Sequence, residues 1–205
     1  MTFGRNQMIA AAALSLLARG ACAQDISKFV INGNAVKAAH NDSEISLDTA
    51  RKITQDCLDF AAAHNIAVSV FVLSPYGQIV HADRMDGQGP IQVDTALLKA
   101  QTALYMRNST HAMMNQMINN PEFETRLIPV GQMRPGSSFW NSGGLPIFVG
   151  DKLIGAIGVG GSNMDEACAY DALTKVIGPQ PPLAPTLPPI APPTFRDPPP
   201  APAGR

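Results

Sequence analysis

Histidine, methionine, tyrosine and cysteine are the side chains in this 205-residue sequence that could bind a transition metal such as iron. His111 lies in the segment STHAMMNQMI beside Met113, Met114 and Met117. His81 lies in a strand-like segment, QIVHAD, and is the second candidate. Methionines at helical spacing more often fill a core than bind a cofactor. The pattern therefore favours His111 as an iron ligand, with core packing of the methionines as the alternative.

Two cations could bind the acidic end of a ligand. Arg84 opens the loop RMDGQGP, and Lys99 lies in the helical segment that follows this loop. An arginine and a lysine near glycines can hold a carboxylate group of a ligand. Each cation could equally pair with a carboxylate of the protein, and Arg84 has Asp83, Asp86 and Asp94 nearby in sequence.

Glycines are dense in the segment NSGGLPIFVGDKLIGAIGVGGSNMDEA, residues 141–167. Glycine in a strand weakens the sheet unless another part of the molecule approaches the backbone closely. We therefore expect Gly143 and Gly144 to let the chain enter a strand beside a cleft. Tyr105 is a further candidate for the ligand-binding residues. Asp165 and Glu166 are expected to complement the dipole of the last helix.

Several functional classes have no support in the sequence. It contains no phosphate-binding P-loop, no GxGxxG motif, no nucleophile elbow and no set of histidines and cysteines at metal-binding spacing. The formal net charge is −1 and no basic patch occurs, so nucleic acid is not an expected partner.

The N-terminus predicts a secretory signal peptide over residues 1–23. Arg5 precedes an apolar run from Met8 to Leu17, and Ala21-Cys22-Ala23 follows as a small-residue cleavage site. The apolar run is too short to span a bilayer. We therefore expect cleavage after Ala23 and a periplasmic or secreted protein.

The rest of the chain divides by composition. Residues 24–44 form a lead-in with little periodicity, residues 45–177 form one domain, and residues 178–205 form a proline-rich tail. Proline at this density favours an extended, solvated and disordered segment. Cys57 and Cys168 remain in the exported chain, either as a disulfide or as buried thiols.

Hydrophobic periodicity predicts an α+β (α/β) domain with a mostly antiparallel sheet, because paired strands alternate with helices. The predicted elements are a helix over 45–65, strands over 66–73 and 78–83, helices over 92–107 and 109–118, an irregular stretch over 121–144, strands over 145–149 and 152–160, and a helix from about 163.

The segments ISLDTARKI, VSVFVLSPYGQIVHADRMDG, DTALLKAQTA, GGLPIFVGDKLIGAIGVGG and DEACAYDAL resemble, in this order, the GlcG/HbpS family, also called the haem-degrading domain family. The strongest similarities are the RMDG loop, Lys99 with Thr102, and the segment GGLPI. The resemblance implies a profilin-like α-β-α fold and homo-oligomers. It also implies haem binding in some members, and haem breakdown or redox sensing in a few. No matching motif fixes an axial ligand.

Three functions follow from these patterns. The first is a periplasmic protein that binds haem or another tetrapyrrole, as a sensor, a scavenger or an accessory in haem breakdown. The second is an enzyme of a catabolic pathway that acts on a small organic acid, with Lys99 and Arg84 as anion contacts. The third is an oligomeric accessory protein without a ligand.

The signal-peptide prediction is tested by the N-terminus of the protein made in its source cell. The charge, the apolar run and the small-residue site together predict a mature chain that begins at Gln24. Mass spectrometry of the purified protein measures this terminus. A population that mostly retains Met1 would contradict the prediction.

Overall fold

The computed structural model describes residues 43–133, 136 and 138–187. The predicted signal peptide, nearly all of the lead-in segment and the tail beyond residue 187 lie outside the described residues. Among the helices of the described part, none is long and apolar enough to cross a membrane.

The described chain contains five helices and four strands with defined bounds. In chain order they are α1 (Leu47–Ala63), β1 (Ser69–Leu73), β2 (Ile79–Arg84), α2 (Pro90–Met106), α3 (Thr110–Asn119), α4 (Pro121–Met133), β3 (Gly144–Val149), β4 (Lys152–Gly160) and α5 (Asp165–Val176).

Helix α1 shows why the periodic segments fold as predicted. Ser46 caps the helix by accepting a hydrogen bond from the backbone N–H of Thr49 at 3.2 Å, and Asp48 lies in the first turn, where a negative charge suits the helix dipole. The residues buried on its inner face recur at helical spacing: Ala50, Ile53, Thr54, Cys57 and Ala61. The helix that the periodicity predicted over this segment is confirmed.

The four strands form one antiparallel sheet in the order β2-β1-β4-β3. Two hairpins, β1–β2 and β3–β4, meet at the central pair of β1 and β4. The second hairpin turns at Gly150, whose φ of 61° lies in the left-handed region that glycine adopts readily. Both hairpins and the antiparallel sheet were predicted from the sequence, and the α+β fold is confirmed.

Helices cover the two faces of the sheet and give the predicted α-β-α layers. Helices α1 and α5 pack on one face around a core that includes Val70, Val72, Ile157 and Val159. Helix α2 crosses the other face, where Gly158 leaves room for its backbone. A layered domain of this kind buries one core on each side of the sheet.

A disulfide joins Cys57 of α1 to Cys168 of α5 across the larger core, with both residues fully buried. The sequence left open whether these cysteines are paired or free, and the structure pairs them. The bond closes 111 residues of chain, so it restricts the unfolded chain strongly. It also fixes α5, whose first turn carries residues of the site described below.

The predicted irregular stretch over 121–144 is wrong in its first half, because residues Pro121–Met133 form α4. Pro121 suits the first turn of a helix, where its missing N–H costs nothing, and the Asn120 side chain accepts from the N–H of Phe123 at 3.1 Å. Pro129 lies inside the helix, and none of the described side chains of α4 is buried. Without a buried face the segment carries no clear apolar period, which is why the pattern missed it.

The prediction of a solvated tail from residue 178 also needs correction for residues 178–187. These residues form no helix or strand, as expected, but Leu183 packs against the larger core and Gln180 bonds to the edge strand β3. Proline removes backbone donors without preventing side chains from packing, so composition alone could not exclude these contacts.

The crossing of α2 over the sheet predicts a large cost for a methyl group at Gly158. A Cβ there would overlap the carbonyl oxygen of Ala96 and the backbone of Ala100, and neither can move without shifting the helix. We expect Gly158→Ala to lower the free energy of unfolding by about 3 kcal/mol or more, measured by urea denaturation.

Gly87→Ala is the matched control for this substitution. Gly87 has a φ of 87° and open space around it, so the change should cost only the strain of the left-handed backbone, about 1–2 kcal/mol. Equal losses in the two variants would show that the contact between α2 and β4 is not as close as described.

Candidate functional site

Lys99 is buried, and its charge is balanced inside the protein. Its ammonium group lies 2.6 Å from a carboxylate oxygen of Asp165, at the start of α5, and donates to the carbonyl of Val159 at 2.9 Å. Both side chains of the ion pair are at most 5% exposed. The alternative in which Lys99 pairs with a carboxylate of the protein is therefore the one that the structure adopts.

Gly143 and Gly144 allow the chain to pass directly beside this ion pair. A Cβ at Gly143 would lie 2.7 Å from the Cβ of Asp165 and 3.2 Å from the Nζ of Lys99, and its φ of 118° also disfavours a side chain. A Cβ at Gly144 would overlap the carbonyl of Lys99 and lie 2.6 Å from a methyl group of Thr110. The close approach that the glycine-rich segment predicted is thus made by α2, α3 and α5.

Thr110 attaches the beginning of α3 to the entry of β3. Its hydroxyl donates to the carbonyl of Asn141 at 2.5 Å and accepts from the N–H of Gly144 at 3.0 Å. Because Thr110 is fully buried, these two bonds fix the first turn of α3, and with it the backbone that carries His111.

His111 forms the second buried pair of the site, with Glu166. Its Nδ1 lies 2.7 Å from a carboxylate oxygen of Glu166, and both side chains are 9% exposed. The hydroxyl of Ser142 donates to the same oxygen at 3.4 Å. The other carboxylate oxygen, Oε1, is buried and has no hydrogen-bond partner among the described residues.

The geometry of the pair assigns the two ring nitrogens of His111. An ionised carboxylate only accepts hydrogen bonds, so Nδ1 carries the hydrogen that Glu166 receives. In the neutral ring Nε2 then holds a lone pair, and no described residue donates to it. Such a ring can act as a metal ligand or as a general base, with Glu166 fixing its orientation.

An open cleft of about 430 Å³ adjoins the Lys99–Asp165 pair. Gln92 and Thr95 of the first turns of α2 line one side, and Asn141 and Ser162 line the other. These four side chains are polar and uncharged. The two charges in the lining oppose each other, so the cleft does not favour an anion by charge.

Arg84 lies apart from this group. It ends β2, and its guanidinium donates to the carbonyl of Gln88 within its own loop at 2.8 Å. The register places Arg84 opposite Ser69, and Ser69 opposite Gly160, so two strand spacings separate Arg84 from β4. The structure therefore does not combine Arg84 and Lys99 into one anion site.

His81 and Tyr105 also lie elsewhere. His81 faces the same side of the sheet as its partner Val72, towards α1, and its Nε2 is 3.0 Å from a carboxylate oxygen of Asp83. Tyr105 lies in the last turn of α2 and is 44% exposed. Of the seven residues predicted for the site, the structure brings together four: Lys99, His111, Gly143 and Gly144.

Asp165 and Glu166 are the site residues that sequence reasoning assigned to a different role. They do lie in the first turn of α5, as predicted, but both are buried and each pairs with a buried basic side chain. The sequence did contain a signal for this pairing. Two adjacent acids follow a glycine-rich turn, and two basic residues lie on helices that are buried.

Within the described part of the chain, no group of three or more His, Cys, Asp or Glu side chains is placed to hold a bare metal ion. A metal at His111 would therefore need further ligands from outside the described side chains, such as those of a macrocycle. The described side chains of the site could therefore hold a metal only together with such added ligands.

The sequence profile of the family described as "Haem degrading protein HbpS-like" matches residues 45–174, and the chain belongs to this family. An uncharacterized 15.0 kDa protein from the dhaT-dhaS intergenic region of Citrobacter freundii is 27% identical over 134 residues, which cover 60% of this chain and 83% of the relative.

Solved structures share the fold. Klebsiella pneumoniae protein ORFY matches with a TM-score of 0.60 and 24% identity, over 70% of this chain and 94% of that one. A double mutant of Streptomyces reticuli HbpS matches with a TM-score of 0.58 and 23% identity, over 72% and 94%. A complex of PduOC with haem matches with a TM-score of 0.58 and 22% identity, over 64% and 94%. At these identities the similarity establishes the fold alone.

The Lys99–Asp165 pair predicts a specific order of stabilities. Lys99→Met leaves the Asp165 carboxylate buried without its counter-charge, so it should lower the free energy of unfolding by about 3–5 kcal/mol. Adding Asp165→Asn removes that unpaired charge. The double variant should therefore be more stable than Lys99→Met alone, in urea denaturation at neutral pH.

Lys52→Met is the matched control, because Lys52 pairs with Asp48 at 2.6 Å on the exposed surface of α1. This change should cost only about 0.3–0.5 kcal/mol. A double variant less stable than Lys99→Met would mean that the carboxylate is not left buried and unpaired when the lysine is removed.

Proposed function

We propose that the protein binds haem or a closely related tetrapyrrole, and that Nε2 of His111 would hold its iron. The observation that carries the proposal is the buried pair of His111 and Glu166, in which Nδ1 is 2.7 Å from the carboxylate. Metal-bound histidines almost always donate their other ring N–H to such an acceptor. Membership of the HbpS-like family supports haem as the group that supplies the metal.

The donor set fits an iron porphyrin better than a free cation. A porphyrin brings four nitrogen ligands with its iron, so the protein has to supply only an axial ligand. Met113 plays a different part, because it is 4% exposed and its sulfur already accepts a hydrogen bond from the side-chain amide of Asn108 at 3.7 Å. We therefore assign axial ligation to the histidine and core packing to Met113.

The arrangement around Glu166 gives this carboxylate a positioning role. Glu166 is fixed on α5, which the disulfide of Cys168 holds against α1. A hydrogen bond from Nδ1 to a carboxylate fixes the tautomer and raises the basicity of the ligand nitrogen. Glu166 would thus influence a bound iron only through His111.

We also propose that the protein works outside the cytoplasm and assembles as a homo-oligomer. The predicted signal peptide supports export, and the Cys57–Cys168 disulfide is of the kind that persists in oxidising compartments. The assembly follows from the family resemblance and is tested by light scattering of the purified protein.

No structural observation favours an enzyme that binds a small acid between Lys99 and Arg84. The ammonium group of Lys99 is already paired with Asp165, and Arg84 bonds to its own loop. An acid in the polar cleft would meet the Asp165 carboxylate beside the Lys99 charge. The pair of His111 and Glu166, together with membership of the family, therefore supports haem binding better than binding of a small acid.

Haem titration of the purified protein tests the proposal. We expect a saturable change of the Soret band in the wild type, and a changed spectrum with weaker binding in His111→Ala, because the ligand field of the iron changes. Glu166→Gln should keep the fold and weaken haem binding by about 10–100-fold, as the loss of an outer partner of a metal-bound histidine does.

His64→Ala and His81→Ala are the matched controls for these titrations. His64 bonds to the Phe60 carbonyl of its own helix at 2.8 Å and stacks on the Phe60 ring, and His81 pairs with Asp83. Both variants should keep the wild-type spectrum. A wild type without saturable binding would end the haem assignment, and a spectrum unchanged in His111→Ala would remove this histidine as the ligand.

A further inference from the structure

The segment 178–187, which we call the strap, is bonded to the edge of the sheet. Strand β3 is an edge strand, so the backbone N–H and carbonyl of Phe148 can point away from β4 and bond outside the sheet. The side-chain amide of Gln180 satisfies both groups of Phe148, because its Oε1 accepts from the N–H at 3.2 Å and its Nε2 donates to the carbonyl at 3.0 Å. One glutamine thus pairs with β3 as a neighbouring strand would.

Two further contacts hold the strap beyond Gln180. Leu183 packs against the larger core, and the buried side chain of Asn115 on α3 donates to the carbonyl of Pro185 at 2.8 Å. The strap therefore lies over the gap between β3, α3 and α5. Proline restricts the backbone of the strap, so ordering it costs less conformational entropy than ordering an ordinary loop.

A cavity of about 150 Å³ remains under the strap. Its floor and walls are mostly apolar, with Pro146 and Phe148 from β3, Ala112 from α3 and Tyr170 from α5, and residues 180–184 form its roof. We call this space the strap pocket. An apolar cavity of about this size accommodates a benzene ring.

Arg107 gives the strap pocket one charged residue. It is the exposed C-cap residue that follows α2, its φ of 52° lies in the left-handed region, and it lines the pocket. Among the described residues it has no ion pair, unlike Lys99. The pocket therefore offers an apolar interior together with one cation that pairs with no carboxylate in the described part of the chain.

We propose that the strap pocket binds a small aromatic carboxylate, whose single ring lies among the apolar side chains and whose carboxylate meets Arg107. Burial of the ring supplies most of the affinity, and the guanidinium supplies the preference for an acid. The strap closes the site, and its glutamine fixes the roof to the sheet. This site is separate from His111 and does not depend on haem binding.

The probe that tests the proposal is 4-fluorobenzoate, followed by ¹⁹F NMR with purified protein that retains its whole C-terminal segment. We expect saturable binding to the wild type. Ala112→Phe places a ring in the pocket and should weaken binding by about tenfold or more. Ala62→Phe, the same change at an exposed position of α1, should leave binding unchanged.

Two further arms separate the parts of the proposal. Arg107→Gln should weaken 4-fluorobenzoate without weakening 4-fluorobenzyl alcohol, which has the same ring and no charge. Leu183→Ala should speed release of the probe by loosening the roof, and it serves as the second pocket variant if Ala112→Phe does not fold.

Absence of saturable binding in the wild type would overturn the site. Equal affinity of wild type and both pocket variants would place the probe elsewhere and overturn it as well. Equal effects of Arg107→Gln on the acid and the alcohol would refute the role of the guanidinium. None of these outcomes bears on the Soret titration, so the two proposals fail independently.

Discussion

A lysine ammonium that is only 2% exposed can stay charged inside a protein only beside an opposite charge, and this requirement organises the molecule. Asp165 supplies the charge for Lys99, and the next residue, Glu166, accepts a hydrogen bond from the buried ring of His111. Two adjacent residues at the start of α5 therefore connect α2 and α3 to one point. The entry of β3 has to be glycine because it passes between these groups.

The disulfide fixes the helix that carries the acidic partners of both buried polar pairs. Cys168 ties α5 to α1 two residues after Glu166, so the carboxylates approach α2 and α3 from a fixed helix. Thr110 fixes the start of α3 in the same way from the β3 side. Outer contacts of this kind hold a functional ring in one orientation, which a ring on a free helix would not have. The position of His111 is thus a consequence of packing on both faces of the sheet.

The sequence predicted the parts of the fold that carry a hydrophobic period. Helix α1 and both hairpins belong to this part, and the density of glycines predicted the close approach at Gly143 and Gly144. Helix α4 has no described buried side chain, so it has no period to detect. The strap was hidden for another reason, since its contacts depend on single side chains such as Gln180 and Leu183, which composition does not reveal.

In the candidate site too, the local sequence predicted some residues, and only the tertiary structure showed their partners. The sequence identified Lys99 and His111 as residues capable of chemistry, but their partners lie 66 and 55 residues further along the chain. Read locally, Asp165 and Glu166 suit the start of a helix, and nothing local distinguishes a dipole partner from a buried counter-charge. Arg84 and His81 were grouped with the site because they lie in and next to the RMDG loop, and the strand register places both on β2, away from β4.

The tautomer of His111 tests the central claim most directly, because the account requires Nδ1 to carry the hydrogen and Nε2 to hold the lone pair. Two-bond ¹H–¹⁵N NMR of the imidazole rings distinguishes the two tautomers at a pH where the ring is neutral. The account predicts the Nδ1–H form for His111 in the wild type. A ring in the Nε2–H form would contradict it, because the nitrogen assigned to the iron would then have no lone pair to give.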